Sequence, residues 1–145
     1  MHIEFTKISD DAHEVAVERR DGSRETCRLN SRSFLFHDLA HLALEEALSL
    51  RDGFWGGIAR GASLNGAKAD AQDTPLAELL AGPMQILIKN DAPAADYSAL
   101  LLRVMEDEAD SDRLGQAIHA RARHLKGLWK ATHYGASMRV EWPDG

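Results

Sequence analysis

The sequence predicts an α+β protein with an N-terminal antiparallel β meander, four or five helices and a short C-terminal strand. Apolar and polar residues alternate over residues 2–29, the apolar period becomes helical from about residue 34, and alternation returns at residues 138–142. The chain has 145 residues, of which 44% are hydrophobic and 28% charged. This length and composition suit one folded domain, 1–145, with a buried core.

The first strands are predicted from alternation and turn residues. HIEFTKI at 2–8 and HEVAVE at 13–18 alternate apolar and polar positions, with SDD at 9–11 as the turn between them. Asp21-Gly22 supplies the turn that two-residue hairpins favour, and residues 26–29 continue as the third strand. We therefore expect a three-stranded antiparallel sheet that is wet on one face and covered on the other.

A long helix should follow the sheet. Ser31 or Ser33 can cap it, its apolar positions continue to Leu50, and Asp52-Gly53 supplies a stop signal. The glycine-rich GFWGGIARG at 53–61 then favours a short, tightly packed turn-helix in which backbone approaches backbone. The other reading is a backbone cradle for an anion, although no GxxxxGK[ST] and no GxGxxG after a strand is present.

The second half of the chain is predicted to be mainly helical. Residues 64–73 are small and polar and suggest a surface loop, after which Asp73 or Thr74 can cap a helix that starts at Pro75 and is interrupted at Gly82-Pro83. The apolar run 84–89 suits either a strand or a helix, and we favour the helix. Further helices are expected from about residue 94 and from about Asp112 to Thr132.

The stretch FHDLAHLALEE at 36–46 places His37, His41 and Glu45 four residues apart on the first helix. Two imidazoles at that spacing can share one ion, so we predict His37 and His41 as ligands of a divalent transition metal. Glu45 lies two turns from His37, about 12 Å along the axis, so a third ligand must come from elsewhere, with His119, His124 and His133 as candidates. The alternative is an ordinary helix edge on which His41 and Glu45 form a side-chain pair.

A helical wheel puts His37 and His41 at the border of the apolar face and Glu45 just outside it. With Asp38 behind the histidines and Gly56 in the adjacent turn, these side chains are predicted to line a small polar site. The site would bind a metal ion or a small ligand. The HExxH motif of metalloproteases is absent, because no glutamate lies between the two histidines in the required place.

Charge is strongly polarised along the chain. Residues 91–112 hold seven acids, whereas residues 113–140 hold six bases and no acid. Adjacent helices of opposite charge can complement each other, or an exposed basic helix can take a phosphate-bearing ligand. Arg121 falls within the apolar arc of its helix, so it should snorkel to the edge or pair with a carboxylate, and it is a candidate ligand-binding residue. The net charge of −6 argues against general nucleic-acid binding.

Other features favour a cytoplasmic protein without a catalytic signature. Cys27 is the only cysteine and is expected to be a packing residue, and no signal sequence or run of roughly 20 apolar residues is present. No nucleophile motif or distinctive carboxylate pair supports an enzyme. The alternative function is a non-enzymatic interaction module, such as a homodimer, that uses Phe54, Trp55 and the apolar remainder of the first helix, or the basic helix around Arg121.

The segment HDLAHLALEEALSLRDGFWGGIARGAS, residues 37–63, resembles a group of small uncharacterised bacterial proteins. Their shared pattern is His-Asp-Leu-x-His-x-x-x-Glu followed by Gly-Phe-Trp-Gly-x-x-Ala-x-Gly. The resemblance implies that the helix and the glycine-rich turn form one unit, with the His/Glu edge facing the turn. It implies no catalytic role, since the group has no established activity.

Overall fold

The computed structural model describes residues 1–64 and 75–143, and there it shows the predicted α+β architecture. The elements are β1 (His2–Lys7), β2 (Ala12–Glu18), β3 (Arg24–Asn30), α1 (Ser31–Ala47), α2 (Phe54–Ala59), α3 (Pro75–Lys89), α4 (Ala94–Leu102), α5 (Glu108–Ala131) and β4 (Ser137–Glu141). The strands form one antiparallel sheet in the order β3-β2-β1-β4. Within these residues the N-terminal meander, five helices and the C-terminal strand are confirmed.

The alternating apolar residues of the strands determine which face of the sheet is buried. Ile3 and Phe5 of β1 and Val15 and Val17 of β2 are at most 2% exposed, while the residues between them lie on the wetter face. The β2–β3 hairpin turns through Gly22, whose φ of 88° suits glycine. β4 extends the meander by pairing with β1. One face of the sheet is therefore covered by helices, as its sequence pattern predicts.

The bounds of α1 differ from the predicted ones. Its N-cap is Asn30, whose Oδ1 accepts a hydrogen bond from the Arg32 main-chain N–H at 3.0 Å, so the prediction of a cap at Ser31 or Ser33 is wrong. Ser31 is instead the first helical residue. The helix ends at Ala47 rather than near Leu50, because Ser49 adopts a φ of 53° and turns the chain away.

Helix α1 is the centre of the molecule. All of residues 38–45 are buried, because opposite sides of the helix belong to two cores. Leu39 and Leu42 pack with the sheet and α2, whereas Ala43 and Leu44 pack with α3, α4 and α5. These turns of α1 have no solvent-exposed side. The prediction that His41 lies at the border of the apolar face and Glu45 just outside it is therefore wrong.

Helix α3 runs unbroken from Pro75 to Lys89. It begins at the predicted proline and includes residues 84–89, which confirms helix there, but Gly82-Pro83 does not interrupt it. Pro83 lies on an exposed face, where the helix carbonyl that the proline cannot bond is able to meet water. The predicted loop at 64–73 and the cap at Asp73 or Thr74 lie outside the described residues, except for Leu64, which is buried.

Helices α4 and α5 pack against each other at a close crossing. A Cβ atom added to Gly115 of α5 would lie 2.6 Å from the main-chain nitrogen of Ser98 in α4, so only glycine fits this approach. α5 starts at Glu108, one turn before the predicted Asp112, because Asp107 caps it by accepting a hydrogen bond from the Asp110 N–H at 3.0 Å. No helix within residues 1–64 and 75–143 has the length and apolarity needed to cross a membrane.

Candidate functional site

The candidate site lies where α2 folds back against α1. His37, His41 and Glu45 occupy successive turns on one side of α1, and the first turn of α2 meets them at Glu45. Gly53 precedes α2 and has no side chain with which to cap it. The capping group is supplied instead from α1.

Glu45 caps the N-terminus of α2 from inside the core. Its carboxylate accepts hydrogen bonds from the main-chain N–H groups of Phe54 and Trp55 at 3.0 Å each and of Gly56 at 3.4 Å. These are N–H groups that the first turn of a helix leaves without helical partners. The negative charge also lies at the positive end of the helix dipole. A fully buried carboxylate is thus held by main-chain donors.

The glycines allow this contact. A Cβ atom on Gly53 would lie 2.9 Å from Cγ of Glu45 and closer still to its carboxylate, and a Cβ atom on Gly56 would overlap the main chain of Arg51. The close-packed reading of the glycine-rich segment is therefore correct. The turn also forms an anion cradle, but the anion in it is the protein's own Glu45 carboxylate.

The two histidines face carboxylates through equivalent atoms. Nδ1 of His41 lies 2.9 Å from Oε2 of Glu45, and Nδ1 of His37 lies 3.3 Å from Oδ1 of Asp38. The ring centroids are 4.5 Å apart. His41, Asp38 and Glu45 are fully buried, whereas the side chain of His37 is 30% exposed. His37 is therefore the solvent-facing end of this polar row.

Aromatic residues of α2 enclose the row. The Phe54 ring lies 5.6 Å from the His41 ring, and Trp55 donates a hydrogen bond from its indole Nε1 to the Asp38 carbonyl at 3.0 Å. Phe54 and Trp55 are 4% and 0% exposed, so the expectation that they form an interaction surface is wrong. The large apolar side chains exposed in the described ranges are Leu79, Ile86, Leu102 and Tyr134. Self-association stays a prediction and would need such residues.

The predicted third metal ligand is not found among residues 1–64 and 75–143. Within them, no group of three histidine, cysteine, aspartate or glutamate side chains has an arrangement that could hold a metal ion. The Glu45 carboxylate already accepts hydrogen bonds from the main-chain N–H groups at the N-terminus of α2. The described chain thus offers two neighbouring imidazoles, His37 and His41, as the ligand set.

Arg121 lies apart from this site. Its Nε is 3.2 Å from Oε2 of Glu46, in an ion pair between α5 and α1. Of the two expected outcomes, snorkelling or pairing with a carboxylate, the structure shows pairing. The structure brings together His37, Asp38, His41, Glu45 and Gly56 but does not bring Arg121 to them.

Arg19 was not expected to take part in this unit. It is 8% exposed, and its guanidinium donates hydrogen bonds to the carbonyl of Ile58, in the last turn of α2, at 2.6 Å and to the carbonyl of Ala62, just after the helix, at 2.8 Å. It also pairs with Glu25 on β3. The six-residue helix α2 therefore has an anion at its N-terminus and a cation at its C-terminus. An arginine directly after the alternating residues of β2 gave no signal for this role.

Comparisons with protein-family models, with curated proteins and with solved structures find no match. The function of the site is therefore inferred from its own geometry.

Proposed function

We propose that His37 and His41 together bind one divalent transition-metal ion through their Nε2 atoms. The observation that carries the proposal is that each ring turns Nδ1 toward a carboxylate, Asp38 for His37 and Glu45 for His41. Metal-ligating histidines are commonly held by carboxylates in this way. The contact orients the ring, favours the proton on Nδ1 and makes Nε2 a better ligand.

The proposed site is an open one. Two imidazoles from the chain leave further positions of the ion to water or to a small ligand, as in metal sites that exchange what they bind. The partly exposed His37 gives the ion a route from solvent. Imidazole suits zinc, nickel and copper. The activity proposed is thus binding of such an ion, or of a small ligand through the ion, with no catalytic step.

Zinc binding by the untagged, chelator-treated protein tests the proposal. We expect one zinc ion per chain by calorimetry and elemental analysis, and loss of that ion in His37→Ala. His37 is the ligand to change because it is partly exposed, so its loss should leave the metal-free fold intact, as judged by circular dichroism. His124→Ala is the matched control, since His124 is exposed on α5 and outside the site. Equal zinc binding by His37→Ala and wild type would refute the proposal.

Asp38→Asn tests the carboxylate itself. This change keeps the size of the side chain and removes its charge beside His37. Loss of such an outer carboxylate typically weakens metal binding by about 10- to 100-fold. Zinc affinity that is unchanged in a folded Asp38→Asn variant would show that the carboxylate contact is structural only.

A further inference from the structure

A second candidate site is a cavity of about 440 Å³ among α3, α4 and α5. It lies at the C-terminal end of α3 and the first turn of α4, and α5 supplies its polar wall. None of its lining residues belongs to the His37–Glu45 row. Its volume is within the range of sites that hold small organic ligands.

Tyr97 provides a hydrogen-bond donor in the lining of this cavity. The residue is 2% exposed, lines the cavity and packs its ring against His119 at a centroid distance of 5.3 Å. Its hydroxyl makes no hydrogen bond to any residue that the structure describes. Burial, with the nearby charge of Asp91, raises the pKa of Tyr97 to about 12, so the hydroxyl keeps its proton at neutral pH. The hydroxyl is therefore available to a ligand in the cavity.

The cavity wall carries a surplus of positive charge. Lys126 is fully occupied, because its three N–H groups meet the carbonyls of Ile88 and Lys89 and the carboxylate of Asp91 at 2.8–3.1 Å. Arg123 lines the cavity and forms no ion pair or hydrogen bond with the described part of the chain.

The Asp91 carboxylate in this wall lies in the positive field of three nearby side chains. Lys126, Lys130 and Arg123 all help to lower the pKa of Asp91, which is therefore ionised at neutral pH. Asp91 is the only carboxylate among the residues that line the cavity. A net positive field remains for an incoming anion.

The first turn of α4 adds main-chain donors. Ala94 lines the cavity, and the N-cap residue Pro93 provides no side-chain hydrogen bond to the helix. The N–H groups of Ala94 and Ala95 thus lie at the positive end of a nine-residue helix without a side-chain cap. Ala95 and Asp96 are also in this turn, but of the three residues only Ala94 lines the cavity.

We propose that this cavity binds a small phosphate monoester, with the phosphate group held by the Tyr97 hydroxyl, the Arg123 guanidinium and the first turn of α4. The donors come from a phenol, a guanidinium and a helix N-terminus, and a tetrahedral phosphate has more oxygens to accept from them than one planar carboxylate. The cavity is larger than a phosphate ion, and the apolar residues Ile88, Ala92 and Ala122 of its lining suit an attached organic group.

Phenyl phosphate and inorganic phosphate are suitable probes, followed by ¹⁵N–¹H NMR on the full chain at constant ionic strength. We expect saturable shifts of the Ala94 and Ala95 amide signals, with phenyl phosphate binding more tightly than inorganic phosphate. Tyr97→Phe removes only the hydroxyl and should weaken binding at least about tenfold without loss of folding, and Arg123→Gln should do the same. Arg103→Gln is the control, because Arg103 is an exposed arginine outside the cavity lining.

Several results would overturn the proposal. One is the absence of saturable shifts. Another is equal shifts with chloride or acetate, which would indicate general attraction of anions. A third is wild-type affinity in folded Tyr97→Phe and Arg123→Gln variants, which would mean that the phosphate binds elsewhere.

Discussion

Replacing Gly53 by alanine should destabilise the protein through a single contact, that with Glu45. The main chain at Gly53 has φ −76° and ψ −167°, which alanine adopts without strain. The added Cβ atom, however, would lie 2.9 Å from Cγ of Glu45 and closer to the carboxylate. To regain an ordinary contact the carboxylate must move by roughly 1 Å, which stretches its 3.0 Å bonds to Phe54 and Trp55 beyond hydrogen-bonding range.

The size of the effect follows from these bonds. Hydrogen bonds to a charged group contribute about 1.5–3 kcal/mol each, and some recovery by shifted atoms is expected, so Gly53→Ala should lower the free energy of unfolding by about 2–4 kcal/mol. Two smaller terms nearly cancel: alanine is a poorer N-cap than glycine by under about 1 kcal/mol, and it stabilises by about 0.4–1 kcal/mol through the unfolded chain. Glu45→Ala alone should cost about 3–5 kcal/mol, as for breaking a buried charge contact.

A double-mutant cycle separates the contact from other effects. Urea unfolding would be followed by circular dichroism and by tryptophan fluorescence, to which the buried Trp55 contributes together with Trp129 and Trp142. Once Glu45 is alanine, Gly53→Ala has nothing to displace, so the double variant should be about 2–4 kcal/mol more stable than the sum of the single effects predicts. Gly57→Ala is the control: its Cβ atom would meet only Ala62 at 4.0 Å, and it should be neutral or stabilising by up to about 1 kcal/mol. The role given to Glu45 would be refuted if the two substitutions lowered the free energy of unfolding additively, or if Gly53→Ala left it unchanged.

Three further predictions concern stability. Gly115→Ala should destabilise the protein because its Cβ atom would overlap Ser98, whereas Gly127→Ala has open space and should not; thermal unfolding distinguishes them. Lys126→Met should lower the free energy of unfolding by about 2 kcal/mol, because carbonyls at the end of α3 lose their donor; urea unfolding measures this, and an unchanged midpoint would contradict it. The Arg19 guanidinium lowers the pKa of Glu25 below its ordinary value of 4.5. The ionised Glu25 carboxylate therefore stabilises the folded state above pH 4.5, and this stabilisation is lost as the pH falls through the lowered pKa of the folded state. The stability difference between wild type and Glu25→Gln should therefore be largest near neutral pH and should narrow below pH 4.5.

Much of the fold was predictable because its signals are local. Alternation and the Asp21-Gly22 turn located the first strands, and the helical period located the long helices. Pro83 was misjudged because sequence does not reveal that its face of α3 meets solvent, where the loss of one helical hydrogen bond is tolerated.

The candidate site was predictable only in part. The spacing of His41 and Glu45 correctly indicated that they could pair. A helical wheel describes one helix alone, however, and placed Glu45 outside the apolar face; its burial comes from α2, which folds over it. The role of Arg19 could not be predicted for the same reason, because its partner carbonyl at Ile58 is 39 residues away in sequence.

The charges at the two ends of α2 determine when this helix can form. Six residues are too few for a stable helix in water, where segments shorter than about 12–15 residues are marginal. Glu45 belongs to α1 and Arg19 lies directly after β2, so the two groups that stabilise α2 become available only after the central helix and the hairpin have assembled. We therefore expect α2 to form late in folding. Its amides should acquire protection from hydrogen exchange after those of α1, and their protection reports that the sheet has docked onto the helices.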